Sequence, residues 1–147
     1  MSINPLKKKK NLFPVTFFHA CTGLSFPEKL LHACALQIYV KKKIPKKKRV
    51  TVVLCSDHAI KKLNTLFRSK PCPTDVLSFN YDEDDLLGEI YISLQRARIH
   101  ARHYGVSYDS EIKRLFIHGM FHLLGFDHKT LPQKKRMETM ESRFRSR

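Results

Sequence analysis

Negative charge is scarce in this chain. Only 13 of its 147 residues are Asp or Glu, against 28 Lys and Arg, which leaves a formal net charge of +15. A solvated surface accounts for any single lysine run but not for the whole excess, which points to a polyanionic partner, most often nucleic acid. No apolar run approaches the length of a membrane span. Lysines near the start are followed by Asn11, Pro14 and His19 rather than by an apolar core segment, and no lipidation motif accompanies them. The expectation is a cytoplasmic protein without membrane contact. Cys21, Cys34, Cys55 and Cys72 contain no C-x-x-C pair, so they read as reduced thiols serving as small core residues. The one acidic stretch, Asp82 to Asp85, lacks the spaced oxygens and glycine of a calcium loop and reads as a solvated hairpin tip.

What is present suits one domain, residues 1–147, with a flexible basic tail at 1–12. With 42% hydrophobic residues the chain is long enough to bury a core. Val15 to His19 reads as a strand. Pro27 and Glu28 open a helical pattern that stops at the lysine run before Pro45. Val50 to Cys55 is β-rich, and Ser56 or Asp57 can cap the helix that follows. Val76 to Phe79 and Glu89 to Ser93 read as two further strands. Helices are predicted from Leu94 to about His103, through the histidine segment after Ser107 or Asp109, and from Pro132 to about Arg145. The order predicts an α+β fold, with about five helices packed on a small mixed sheet of about four strands.

The densest chemistry lies in His118–His128, H-G-M-F-H-L-L-G-F-D-H. His118 and His122 are four residues apart, so a helix aims both imidazoles at one point. Gly125 can end that helix with a left-handed backbone, and His128 can then reach the same point from the loop. Three neutral imidazoles leave the fourth tetrahedral position of a Zn²⁺ open, the layout of a catalytic site rather than a closed structural one. Asp127 can orient an imidazole or simply form the turn. His100 and His103, three apart on a helix, read as surface or RNA-facing.

The spacing of the three histidines and Gly125 is shared with a protease pattern that places a general-base glutamate after the first histidine. Here that position is Gly119. A peptidase on this frame lacks its carboxylate, and phosphodiester hydrolysis is the better candidate for so basic a chain. A peptidase or other amide hydrolase, and a non-catalytic ribosome-associated factor, are the competing readings.

The same residues resemble the YbeY endoribonucleases, whose signature is H-G-x-x-H-L-x-G-[YF]-D-H. Upstream, Leu63, Asn64, Phe67 and Arg68 are similar to that family's L-N-x-x-[YF]-R, and Thr74 to Phe79 to its T-D-V-L-S-F. Leu87 to Ser93 resembles L-G-D-I-x-I-S with Glu89 in place of Asp, and Met137 and Glu141 fit the M-x-x-x-E of its last helix. The resemblance covers about residues 50–145. It implies a single-strand-specific endoribonuclease acting in 16S rRNA 3′-end maturation and ribosome quality control. It further implies rRNA and the ribosome as partners and one Zn²⁺ per chain held by His118, His122 and His128. Arg68 is the implied catalytic, phosphate-binding cation.

Overall fold

A computed structural model describes residues 13–81 and 83–145. The basic tail expected at 1–12 and Asp82 of the acidic loop lie outside the described residues. The elements follow in the predicted order: β1 (Val15–His19), α1 (Glu28–Lys41), β2 (Arg49–Cys55), α2 (Asp57–Arg68), β3 (Val76–Asn80), β4 (Leu86–Ser93), α3 (Leu94–Tyr104), α4 (Tyr108–Leu123) and α5 (Leu131–Arg145).

Helix starts follow local chemistry. Ser56, not Asp57, caps α2 by accepting from the Ala59 N–H at 3.2 Å. Asp57 instead accepts from the Ser93 hydroxyl at 2.6 Å and from Arg96 at 2.9 Å. Ser107 caps α4 through the Ser110 N–H at 3.1 Å. The last helix starts ahead of Pro132 because Thr130 and Gln133 form a reciprocal capping box. The Gln133 N–H donates to Thr130 Oγ1 and the Thr130 N–H to Gln133 Oε1.

The sheet order is β1-β2-β4-β3. β1, β2 and β4 are parallel, and β3 runs antiparallel to β4 at the edge. β4 begins earlier than its apolar stretch suggests, at Leu86, because β2 supplies a partner there in Arg49 and β3 joins from Gly88, opposite Asn80. One face, carrying Val50, Val52, Leu54, Ile90 and Ile92, buries against α1, α3, α4 and α5 in the main core. On the opposite face Ile60 of α2 packs with Cys55 and Leu77 in a smaller cluster. Cys21, Cys34 and Cys55 are buried free thiols as expected, whereas Cys72 is exposed in the loop after α2. Among the described residues no helix is long and apolar enough to cross a membrane.

Helix and sheet also approach each other closely at Gly119, between the first two histidines. A Cβ there would lie 2.7 Å from Cγ2 of Ile90, a residue with no solvent exposure. Gly119→Ala is therefore expected to destabilise the fold. Overpacking costs about 1–3 kcal/mol, and the gain in helix propensity offsets about 1 kcal/mol of it. The expected outcome is a lower urea midpoint with an unchanged m value; an equal or higher midpoint would show that Ile90 yields freely.

Candidate metal centre

α4 is buried along most of its circumference: Ile112, Leu115, Phe116, Ile117, Met120 and Phe121 all belong to the main core. Through this apolar cylinder runs one polar stripe. Glu111, Arg114, His118 and His122 recur at spacings of three and four, so they stack on successive turns of one face. Arg114 donates to both carboxylate oxygens of Glu111, at 2.6 and 3.0 Å, and has Asp75 within 3.9 Å. The buried end of the stripe is thus ion-paired, and its open end carries the two histidines.

Past His122 the helix ends in a Schellman turn. Gly125 has φ +91°, a conformation that penalises any Cβ. Its N–H donates to the His122 carbonyl, and the Phe126 N–H to the Phe121 carbonyl, both at 3.0 Å. The Phe126 ring packs edge-on against Phe121, with centroids 5.3 Å apart, which is the apolar contact this motif favours. Two side chains of β3 tie the same helix end to the sheet. The Ser78 hydroxyl donates to the Gly119 carbonyl at 3.3 Å and the Asn80 amide to the Leu123 carbonyl at 3.0 Å. Asp127 Oδ1 then accepts from the His128 N–H at 2.7 Å, which fixes the returning backbone. That hydrogen bond, ahead of nearby Lys129, holds the Asp127 carboxyl below its ordinary value of 3.8. Asp127 is accordingly engaged in the turn, one of the two roles its position allows.

The turn brings His128 back to the helix. One ring nitrogen from each of His118, His122 and His128 lies within 4.8 Å of the others. His118 Nε2 and His122 Nε2 are 3.1 Å apart. Nitrogens at about 2.0–2.1 Å from a tetrahedral ion stand about 3.3–3.4 Å from one another, so the helical pair is already spaced to share a metal and His128 stands within reach of it. The tautomer also fits. His118 Nδ1 is 2.7 Å from Oε1 of Glu141, a carboxylate that is 5% exposed on α5. An imidazole that donates its Nδ1–H to a carboxylate presents the Nε2 lone pair outward. Burial, followed by the neighbouring His118 and His128 rings, pushes His122 below its ordinary 6.5, which keeps that ring neutral and ligand-competent.

The three histidines sit at one end of a cleft of about 510 Å³ between β3 and the end of α4. Arg68 lines the same cleft, with Thr74, Asp75 and Lys129. Arg68 is the last residue of α2, which stops there because Ser69 adopts a left-handed backbone with φ 55°. Buried Asn64 donates to the Cys72 carbonyl at 2.9 Å and so pins the following loop beside Arg68. The predicted site residues Arg68, His118, His122 and His128 therefore meet in one place. His100 does not behave as a surface group. The packing of α3 on α4 sets its Nδ1 3.6 Å from Asp75 and 4.0 Å from Glu111, next to the Arg114 ion cluster. His103 is exposed. Glu141 and Arg114 carried a readable signal, a charged residue at helical spacing on an otherwise apolar face, but their partners are set by tertiary packing.

Two outcomes follow. Glu141→Gln is expected to weaken the affinity for Zn²⁺ by about 10–100-fold, measured by competition with a chromogenic chelator, while the fold persists. In the metal-free protein, the His122 Cε1–H resonance is expected to titrate below 6.5. Because burial leads its causes, the midpoint is expected to remain below that value in His118→Ala. A return to 6.5 in that variant would assign the shift to the neighbouring ring instead.

Comparison with known proteins agrees with this geometry. Residues 24–147 match the family Endoribonuclease YbeY. The endoribonuclease YbeY of Acholeplasma laidlawii is 40% identical over 104 residues, 69% of this chain and 76% of that relative. That of Heliobacterium modesticaldum is 39% identical over 109 residues, 64% of this chain and 66% of its own. The chain thus spans about two thirds to three quarters of these two relatives. The solution structure of a Thermotoga maritima protein is 32% identical, covers 88% of this chain and 87% of its own, and superposes with a TM-score of 0.62. With its α+β fold and its three-histidine cleft beside an arginine, the chain belongs to the YbeY endoribonucleases, a family named for hydrolysing phosphodiester bonds within RNA.

Proposed function

We propose that this protein is a zinc-dependent endoribonuclease that cuts single-stranded RNA, with one Zn²⁺ per chain held by His118, His122 and His128. The observation that carries this reading is the meeting of three imidazole nitrogens and Arg68 in a single cleft. When bound, zinc supplies Lewis acidity toward a phosphoryl oxygen and lowers the pKa of water toward neutrality.

The chain's own groups supply the rest. Arg68 makes no ion pair among the described residues, so its guanidinium is free to grip a phosphate through two parallel hydrogen bonds. It also stabilises the charge that develops on the phosphoryl group, whether the nucleophile is water or the RNA's own 2′-hydroxyl. Glu141 holds His118 in one tautomer, and Asp127 holds the loop that carries His128. His118 and His122 are part-buried, so a scissile phosphate must enter the cleft to reach them. A single strand can bend into such a site, whereas the phosphates of a paired A-form helix are held on a rigid frame, which accounts for a single-strand preference. The charge of +15 provides salt-sensitive attraction to the RNA backbone. As the resemblance to its family implies, the physiological task is 16S rRNA 3′-end maturation and ribosome quality control in the cytoplasm.

The peptidase reading meets a steric obstacle. Gly119, where such an enzyme carries its base, faces Ile90 in the core rather than the cleft. The test of the nuclease reading is cleavage of a single-stranded oligoribonucleotide together with metal analysis. His118→Ala is expected to lose both bound zinc and cleavage. Arg68→Ala is expected to keep its zinc and lose about 10²–10³-fold in kcat. Equal cleavage by all three proteins would sink the proposal, because a contaminating ribonuclease would then explain the activity.

A further inference from the structure

A second concave surface lies between α1 and α5, lined by neither the three histidines nor Arg68. It is a groove of about 590 Å³. Each wall carries an apolar pair at i, i+4: Leu36 and Val40 on α1, Met140 and Phe144 on α5. Leu36 is 49% and Val40 66% exposed, off the face of α1 that Leu31, Cys34, Ala35, Ile38 and Tyr39 bury. Two helices that each offer such an apolar pair form the kind of trough into which a third helix lays its own apolar stripe.

The rim of this trough is cationic and lacks a counter-charge. Lys41, Lys42 and Arg143 line it, and no carboxylate does. Lys42 donates to Met140 Sδ at 3.8 Å, and its ammonium lies 5.5 Å from the Phe121 ring centroid and 5.6 Å from that of Phe126. Arg136 also stands over the Phe126 ring, at 5.7 Å. Among the described residues none of these four cations forms a salt bridge. Burial first, and then the neighbouring Arg143 and Arg136, lower the pKa of Lys42.

We infer that the α1–α5 groove docks an acidic amphipathic helix of a partner protein, its apolar stripe seated on Leu36, Val40, Met140 and Phe144 and its carboxylates on the surrounding cations. The apolar walls favour a protein over RNA, which asks for cations but gains little from aliphatic side chains. The chain's own first twelve residues do not suit the groove, since they hold Lys7 to Lys10 and no acid. Two copies meeting groove to groove would oppose like charges. The inference stands apart from the metal centre and does not require it.

The probe is a synthetic helical peptide with leucines at i, i+3, i+4 and i+7 and glutamates on its other face, titrated into the full-length protein. Saturable binding is expected, with methyl shifts at Leu36, Val40 and Met140. Leu36→Ser with Val40→Ser, and separately Lys41→Glu with Arg143→Glu, are each expected to weaken it by about tenfold or more, with thermal unfolding unchanged. All four side chains are solvent-accessible and outside the metal cleft, so cleavage of RNA by the serine pair is expected to equal that of the parent. A scrambled peptide of the same composition that binds equally well would overturn the inference, because charge alone would then suffice. So would an oligoribonucleotide that displaces the peptide and is itself weakened by the serine pair, or self-association abolished by that pair.

Discussion

The candidate centre depends on how one helix ends. His118 and His122 stand on a helix anchored in the core, so their positions are as firm as the packing beneath them. His128 stands on a loop, and its position is only as firm as the turn that returns it. That turn combines a backbone conformation natural to Gly125, two main-chain hydrogen bonds, the Phe126–Phe121 contact and the Asp127–His128 bond. The Asn80 amide, on a strand remote in sequence, binds the Leu123 carbonyl just before the turn. A cluster of three imidazoles can therefore arise with two placed by helical geometry and the third by a short sequence of local interactions.

The distribution of charge has two scales. Over the whole chain acids are scarce, at 13 residues. Yet Asp75, Glu111, Asp127 and Glu141 gather around the histidine stripe, where each pairs with a cation, an imidazole or a backbone N–H. Acids near the centre suit a divalent cation and orient its ligands, while the basic remainder suits a polyanion. The two preferences are kept apart by a distance of a few residues, because buried pairs such as Glu111–Arg114 satisfy each other and project little field.

Most of the architecture was legible because it is written locally. Caps, the Gly125 stop and the alternation of strands and helices are short-range signals, and the element order follows them. The i, i+4 pair of histidines was legible for the same reason. Arg68 was legible only through its motif, since nothing in its own neighbourhood says that α2 ends over the cleft. Glu141 lies 23 residues from His118, and its partner is chosen by the docking of α5 on α4. His100 was read as a surface group because a helix alone cannot say which face a later helix will cover. Cys72 was expected in the core, but its loop is held at the surface by Asn64. The capping box at Thr130 was present in the sequence as T-x-x-Q, and Pro132 drew the boundary one residue too late.

The contact between Gly119 and Ile90 bears on how enzymes with this histidine spacing can diverge. A peptidase of the related pattern and this nuclease differ, on paper, by one residue between two histidines. In this fold the exchange is not a single step. A side chain at position 119 meets the sheet before it meets any substrate. Ile90 or the helix itself would first have to give way. The two chemistries are thus separated by a repacking of helix on sheet, and glycine at this position is favoured by the core as well as by the reaction.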